Sequence, residues 1–284
     1  MKKINLIFLI PFLIEIAFGQ TNVVGGDITW SCNGTGDFIF QLKLQVQCGG
    51  AALPVNQTIG VFNFPGISAI PVSLITQTDL SPNCSNGTPI SCASGGLGAV
   101  AEYIYISSPI TLSGTPPPGG WIFTFSDCCR ASNTNFQTGS GTGYTFYSKM
   151  YSYISNTSSP CKDNSPNFFT NTPTILSSGI SQQINLTAFD PDHDSIAINW
   201  TTALNNFTGS FTPPSNPSPV TYSTGYTFLS PLPSPLQGLG NSGAQLNSNT
   251  GEINFTAQQN GNFTCAVVVE SWRCGIKIAE RSEE

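Results

Sequence analysis

Ile28-Thr29-Trp30-Ser31-Cys32, followed after the turn Asn33–Asp37 (NGTGD) by Phe38-Ile39-Phe40-Gln41-Leu42, decides how this chain folds. Successive side chains of a strand point to opposite faces, so residues of one parity share a face. Ile28, Trp30 and Cys32 share one face of the first run. Phe38, Phe40, Leu42, Leu44, Val46 and Cys48 share one face of the second. Pairing Cys32 with Phe38 sets Trp30 opposite Phe40 and Ile28 opposite Leu42. Both apolar faces then coincide, and a slip of one residue would separate them. An antiparallel hairpin is expected.

Working outward, period-2 alternation continues and no stretch carries a 3.6-residue pattern. Strands are expected at 59–64, 100–107, 121–126 and 144–154, punctuated by Gly/Pro-rich turns such as Gly114–Gly120 (GTPPPGG). Residues 158–174 read as a boundary. Beyond it Ile184, Leu186 and Ala188 alternate, and further strands are expected at 196–200, 219–222, 252–255 and 262–270. Arg273-Cys274-Gly275-Ile276 reads as a hairpin turn feeding Ile276 and Ile278. The expected class is all-β, two Ig/cadherin-like β-sandwich domains after a signal peptide. The divisions are 1–20 signal peptide, 21–165 an N-terminal disulfide-containing β domain, and 166–284 the second sandwich. The final strand looks cut short at Glu280–Glu284, so the chain reads as the front of a longer protein.

Residues 1–20 have the form of a secretory leader. Lys2 and Lys3 precede an apolar core at 4–14, and Ala17 and Gly19 offer small residues before a cleavage point at Gln20. The core is short for a membrane span, and no later stretch reaches about 18 apolar residues. Of 9 basic and 15 acidic residues, removing Lys2, Lys3 and Glu15 leaves 7 and 14, a net charge of −7. That balance argues against nucleic acid, which needs clustered Lys and Arg, and against an anionic membrane surface. The 19 Phe, 8 Tyr and 4 Trp exceed what a disordered chain carries.

Nine cysteines in an exported chain favour disulfides. Cys32, Cys48, Cys84, Cys92, Cys128, Cys129 and Cys161 are the candidates, with connectivity open. An odd total leaves at least one thiol unpaired, and Cys274, in the expected hairpin turn, is the choice. Adjacent Cys128 and Cys129 would face opposite ways on an extended segment and so reach different partners.

Asp190-Pro191-Asp192-His193-Asp194-Ser195 concentrates three carboxylates beside the single histidine of the chain. Asp190, Asp192 and Asp194 at alternate positions can gather on one side of a turn and offer oxygens to Ca²⁺. The alternative is a turn whose Asp side chains bond their own backbone. It is not an EF-hand, because Ser195 stands at the sixth position and Thr201 at the twelfth. No other cofactor is required. A catalytic triad would have to recruit His193 from this polar turn, and no Gly-x-Ser-x-Gly elbow exists, so no enzymatic activity is expected. Gly238–Gly243 matches Gly-x-Gly-x-x-Gly without a flanking strand and helix, and reads as a loop. Trp30, Trp121 and Trp200 alternate with apolar neighbours and read as core. Trp272, near a hairpin tip, is the aromatic best placed to meet a sugar ring.

Several segments in order resemble the large secreted surface proteins of Bacteroidetes-type bacteria, adhesin-like chains associated with gliding motility and type IX secretion. Val24–Cys32 (VGGDITWSC) is similar to their opening strand, and Trp121–Arg130 (WIFTFSDCCR) to their W-x-F…CCR segment. Asp190–Ile196 is similar to a D-P-D-G-D-S-L turn with His193 in the glycine place. Thr250–Ile253 (TGEI) and Asn262–Ile278 resemble their closing strands. The resemblance implies an exported, cell-surface structural or adhesive protein with a cadherin-like domain. Its partners would be glycans or proteins on host or neighbouring cells, and no C-terminal sorting domain is seen. A secreted carbohydrate-binding module is the alternative.

Overall fold

The computed structural model describes residues 22–81, 90–94, 98–137, 142–153, 161, 163–169 and 175–284. The leader at 1–20 and Cys84 lie outside the described residues. β1 (Val23–Cys32) pairs antiparallel with β2 (Asp37–Gln47), and Cys32 meets Phe38, Trp30 meets Phe40 and Ile28 meets Leu42. The register that joins the two apolar faces is the one that forms.

A single antiparallel sheet grows from this hairpin. After β2 come β5 (Val100–Ser107), β4 (Ala69–Asp79), β3 (Asn56–Phe62), β7 (Trp121–Asp127) and β8 (Tyr144–Met150). It continues through β16 (Ile276–Glu283), β15 (Val267–Arg273) and β12 (Ser195–Trp200), while short β6 (Ile110–Thr111) pairs with β2. Sheets twist, and a long one curls onto itself. Phe40 on β2 and Phe123 on β7 are not sheet neighbours, yet their ring centroids lie 4.5 Å apart. Trp30 on β1 reaches Phe123 at 5.8 Å. The curl encloses an aromatic core that includes Phe38, Trp121, Tyr144 and Phe146, all essentially inaccessible. Gly26 marks where β1 passes closest, since a Cβ there would lie 2.5 Å from the Lys43 carbonyl oxygen and 2.8 Å from the Phe146 ring.

A three-stranded sheet of β10 (Ser181–Asn185), β14 (Glu252–Thr256) and β13 (Ser242–Leu246) encloses a second core of Leu232, Ala244, Ile253 and Phe255. β9 (Asn167–Phe168) pairs with β11 (Ala188–Phe189). No helix occurs among the described residues, and none is therefore long and apolar enough to cross a membrane. The molecule is all-β.

The main sheet takes strands from both sides of residue 165, because β16 hydrogen-bonds to β8, with Glu280 opposite Lys149 and Arg281 opposite Ser148. β16 runs from Ile276 for eight residues. It extends to Glu283, which faces Val267. Its polar residues Glu280, Arg281 and Ser282 are buried and held by ion pairs and side-chain bonds in place of apolar packing. β4 was not expected, residues 219–222 form only isolated bridges, and the strand expected from 262 begins at Val267.

Among the described residues three disulfides form: Cys32–Cys161, Cys48–Cys92 and Cys128–Cys129. The last corrects the expectation that neighbouring cysteines reach apart. Cys129 has φ 82°, so this stretch is not extended and the opposite-face argument does not apply. Cys274 is unpaired and exposed, as expected, and Cys265 is unpaired too.

Candidate functional site

The turn at 190–194 is built around Asp190. Its Oδ1 accepts from the Asp192 N–H at 2.8 Å and the Asp194 N–H at 3.4 Å, and its carbonyl accepts from the His193 N–H at 3.1 Å. This is the Asp-to-own-backbone turn. His193 has φ 64° and is exposed. That left-handed position favours glycine but tolerates histidine better than a bulky branched side chain. Asp190 Oδ2 accepts from the Ser271 hydroxyl at 2.6 Å, tying the turn to β15. Burial raises the Asp190 carboxyl above its usual range despite these bonds. Asp190 is the keystone of the turn.

The structure gathers Asp192 and Asp194 with Asp163, and not with Asp190. One carboxylate oxygen from each of the three lies within 4.8 Å of the others. Asp163 arrives on the segment after Cys161, which the disulfide to Cys32 holds beside β1. The Trp30 indole N–H donates to the Asp163 carbonyl at 3.2 Å, and the Trp30 backbone N–H donates to Ser165 Oγ at 2.9 Å. The Cys32 N–H donates to Asn164 Oδ1 at 2.7 Å. On the other side, the Asn164 N–H donates to Asp192 Oδ2 at 2.6 Å and its side-chain amide donates to Oδ1 at 3.0 Å. Residues 163–165 thus lie between β1 and the acidic turn.

Arg273, at the end of β15, is the cation of the group. Its Nε donates to Asp194 Oδ1 at 2.7 Å and its Nη2 donates to Oδ2 at 2.5 Å, a forked pair. The bonds to Asp194 raise the guanidinium pKa further. Nη2 stands 3.6 Å from Asp163 Oδ1 and 3.9 Å from Asp192 Oδ2, too far for hydrogen bonds. Asp163 is 3% exposed, and neither of its carboxylate oxygens accepts a hydrogen bond from the described residues. Burial, then the neighbouring Asp190 and Asp192 charges, push its carboxyl well above the carboxylate range.

No protein-family model, curated protein or solved structure matches this chain.

Asp163 was missed because nothing local marks it. It lies far upstream of the turn, and its only sequence signal is closeness to Cys161, whose partner could not be read. Trp272 is half-buried on β15, opposite Ser195, rather than projecting from the hairpin tip. Trp30 and Trp121 are core residues and Trp200 is half-buried. Arg130, from the CCR segment, is buried and pairs with Glu284, while its Nη2 donates to the Leu204 carbonyl at 3.0 Å. Burial lowers its pKa to about 10. The arrangement at 163–194 can hold a hard cation by oxygen atoms, and Arg130 ties loops together.

Proposed function

We propose that this is an exported cell-surface protein whose work is structural or adhesive, without catalytic turnover, and whose partners are glycans or proteins of an opposing surface. One observation carries the reading: the few charges of the chain serve as ties between distant segments. Arg281 reaches Asp27 at 3.2 Å, Lys149 reaches Glu280 at 2.6 Å, Arg130 pairs with Glu284 and Arg273 with Asp194. Charges committed to such ties brace a fold, and two of the disulfides add long-range cross-links suited to an oxidising exterior. The leader-like residues 1–20 and the resemblance in sequence support export.

Beads coated with residues 21–284 can be counted on cell monolayers and on an array of surface glycans under gentle flow. Retention above albumin-coated beads, lost after the cells are stripped with protease or periodate, supports adhesion. Retention equal to albumin on every surface would remove it. Binding confined to purified oligosaccharides, without cell retention, would replace it with the carbohydrate-binding alternative.

A further inference from the structure

We propose that Asp163, Asp192 and Asp194 bind one Ca²⁺ ion, which clamps the 163–165 segment to the 190–194 turn. Two independent observations meet here. The three carboxylates offer oxygens within 4.8 Å of one another. Two ligands of a single Ca²⁺, each bonded at 2.3–2.6 Å, can stand up to roughly 5 Å apart, so one ion can touch all three. Separately, Asp163 is a buried carboxyl with both oxygens unbonded. A buried carboxylate that no hydrogen-bond donor reaches is costly and rare; the one cation near this one, Arg273, stands 3.6 Å away and is forked onto Asp194, and the other two carboxylates lie beside it.

Charge points the same way. Asp163, Asp192 and Asp194 share one guanidinium, Arg273, which is already forked onto Asp194. The donors are all oxygen, which disfavours Zn²⁺ and suits a hard ion. They come from two separate segments, an irregular frame that Ca²⁺ tolerates and the near-octahedral shell of Mg²⁺ does not. Asp192 is exposed, so water can complete the shell. The site differs from the Asp190, Asp192, Asp194 trio suggested by alternation, because the carboxylate that comes within reach of Asp192 and Asp194 is Asp163; the ion would share Asp192 with the Asn164 donors and Asp194 with the Arg273 fork. The inference stands apart from the adhesive reading: calcium binding without adhesion, or adhesion without calcium, would separate the two.

Trp30 supplies the probe, since its indole bonds the Asp163 carbonyl. Tb³⁺, a Ca²⁺ mimic, is titrated into residues 21–284 with excitation of tryptophan. The expected result is sensitised Tb³⁺ emission that Ca²⁺ displaces and equal Mg²⁺ does not. Asp163→Asn and Asp192→Asn should each lower Tb³⁺ affinity at least tenfold. Saturating Ca²⁺ should raise the wild-type melting temperature by about 5 °C and leave Asp163→Asn unmoved. Should Asp163→Asn fail to fold, Asp192→Asn at its exposed turn decides. Absent emission, emission unchanged in the variants, or a melting temperature indifferent to Ca²⁺ would overturn the site. So would an Asp163→Asn variant more stable than a wild type that ignores Ca²⁺, which would make Asp163 a buried neutral acid.

Discussion

Asp27 Oδ2 and Arg281 Nη1 lie 3.2 Å apart, with 0% and 1% of their side-chain surfaces exposed. They join β1 to β16, which are not neighbours in the sheet. Lys43 Nζ reaches the same Asp27 oxygen at 2.8 Å. Removing one member of a buried pair strands the others without solvent, whereas replacing the group with apolar residues need not. Asp27→Asn is expected to cost about 3–5 kcal/mol in urea unfolding, because two buried cations lose the carboxylate they share. The triple change Asp27→Leu, Lys43→Met, Arg281→Met should recover most of that loss. A single change below 1 kcal/mol would show the pair to be idle.

The same cluster fixes a pH dependence. Burial, outweighing the attraction of Arg281, raises the Glu283 carboxyl to about 7. A carboxyl raised on folding contributes stability that is present in full below about 4.5 and lost as pH rises through about 7. Asp27 acts in the opposite sense. Burial would raise it, but Lys43 and Arg281 together hold it below its usual value, so its contribution is lost as pH falls through that low value. Urea stability should therefore fall between pH 5 and pH 8, and Glu283→Gln should flatten this slope. An unchanged slope in the variant would assign the dependence elsewhere.

Cys274 and Cys265 should separate by reactivity. Cys274 is exposed in the turn between β15 and β16, while burial pushes the Cys265 thiol up to about 12. Only the thiolate attacks, so a maleimide should label Cys274 in the folded protein and Cys265 only after unfolding. Peptide mapping by mass spectrometry reads this directly. Cys274 also has φ 51° beside Gly275 at φ 78°, the pattern of an Asn-Gly hairpin turn. Cys274→Asn is expected to add about 0.5 kcal/mol of stability while abolishing that label.

Gly26→Ala tests the tight approach of β1. The new methyl would meet the Lys43 carbonyl, which the sheet fixes, and the Phe146 ring. A loss of about 1–3 kcal/mol is expected from overpacking. Gly34→Ala is the contrasting case, for there nothing lies within 4 Å and the strain comes from φ 84° alone.

The sequence made the β1–β2 hairpin legible because both its strands carry one apolar face, so only one register satisfies both. β4 was hidden by the opposite circumstance. Only Ile70 and Val72 are buried along it, Pro71 interrupts it, and Gln77, Thr78 and Asp79 read as loop. The burial of Glu280, Arg281 and Ser282 near the end of β16 could not be read locally either, because it depends on partners supplied by β1 and β8. The acidic turn was legible as a cluster of like charges. Its composition changed because tertiary structure delivered Asp163 and hydrogen bonds withdrew Asp190.

The placement of β16 between β8 and β15, with Arg281 closing on β1, also sets the order in which this molecule can assemble. The β1–β2 hairpin can form from neighbouring residues alone. β8 and β15 are joined only when residues 276–283 insert between them, and Arg281 then brings together segments almost the full described length apart. Contacts so distant in sequence make for slow folding. A chain emerging from its amino end would hold its first strands waiting, with one edge of β8 unfilled, until the sixteenth strand arrived.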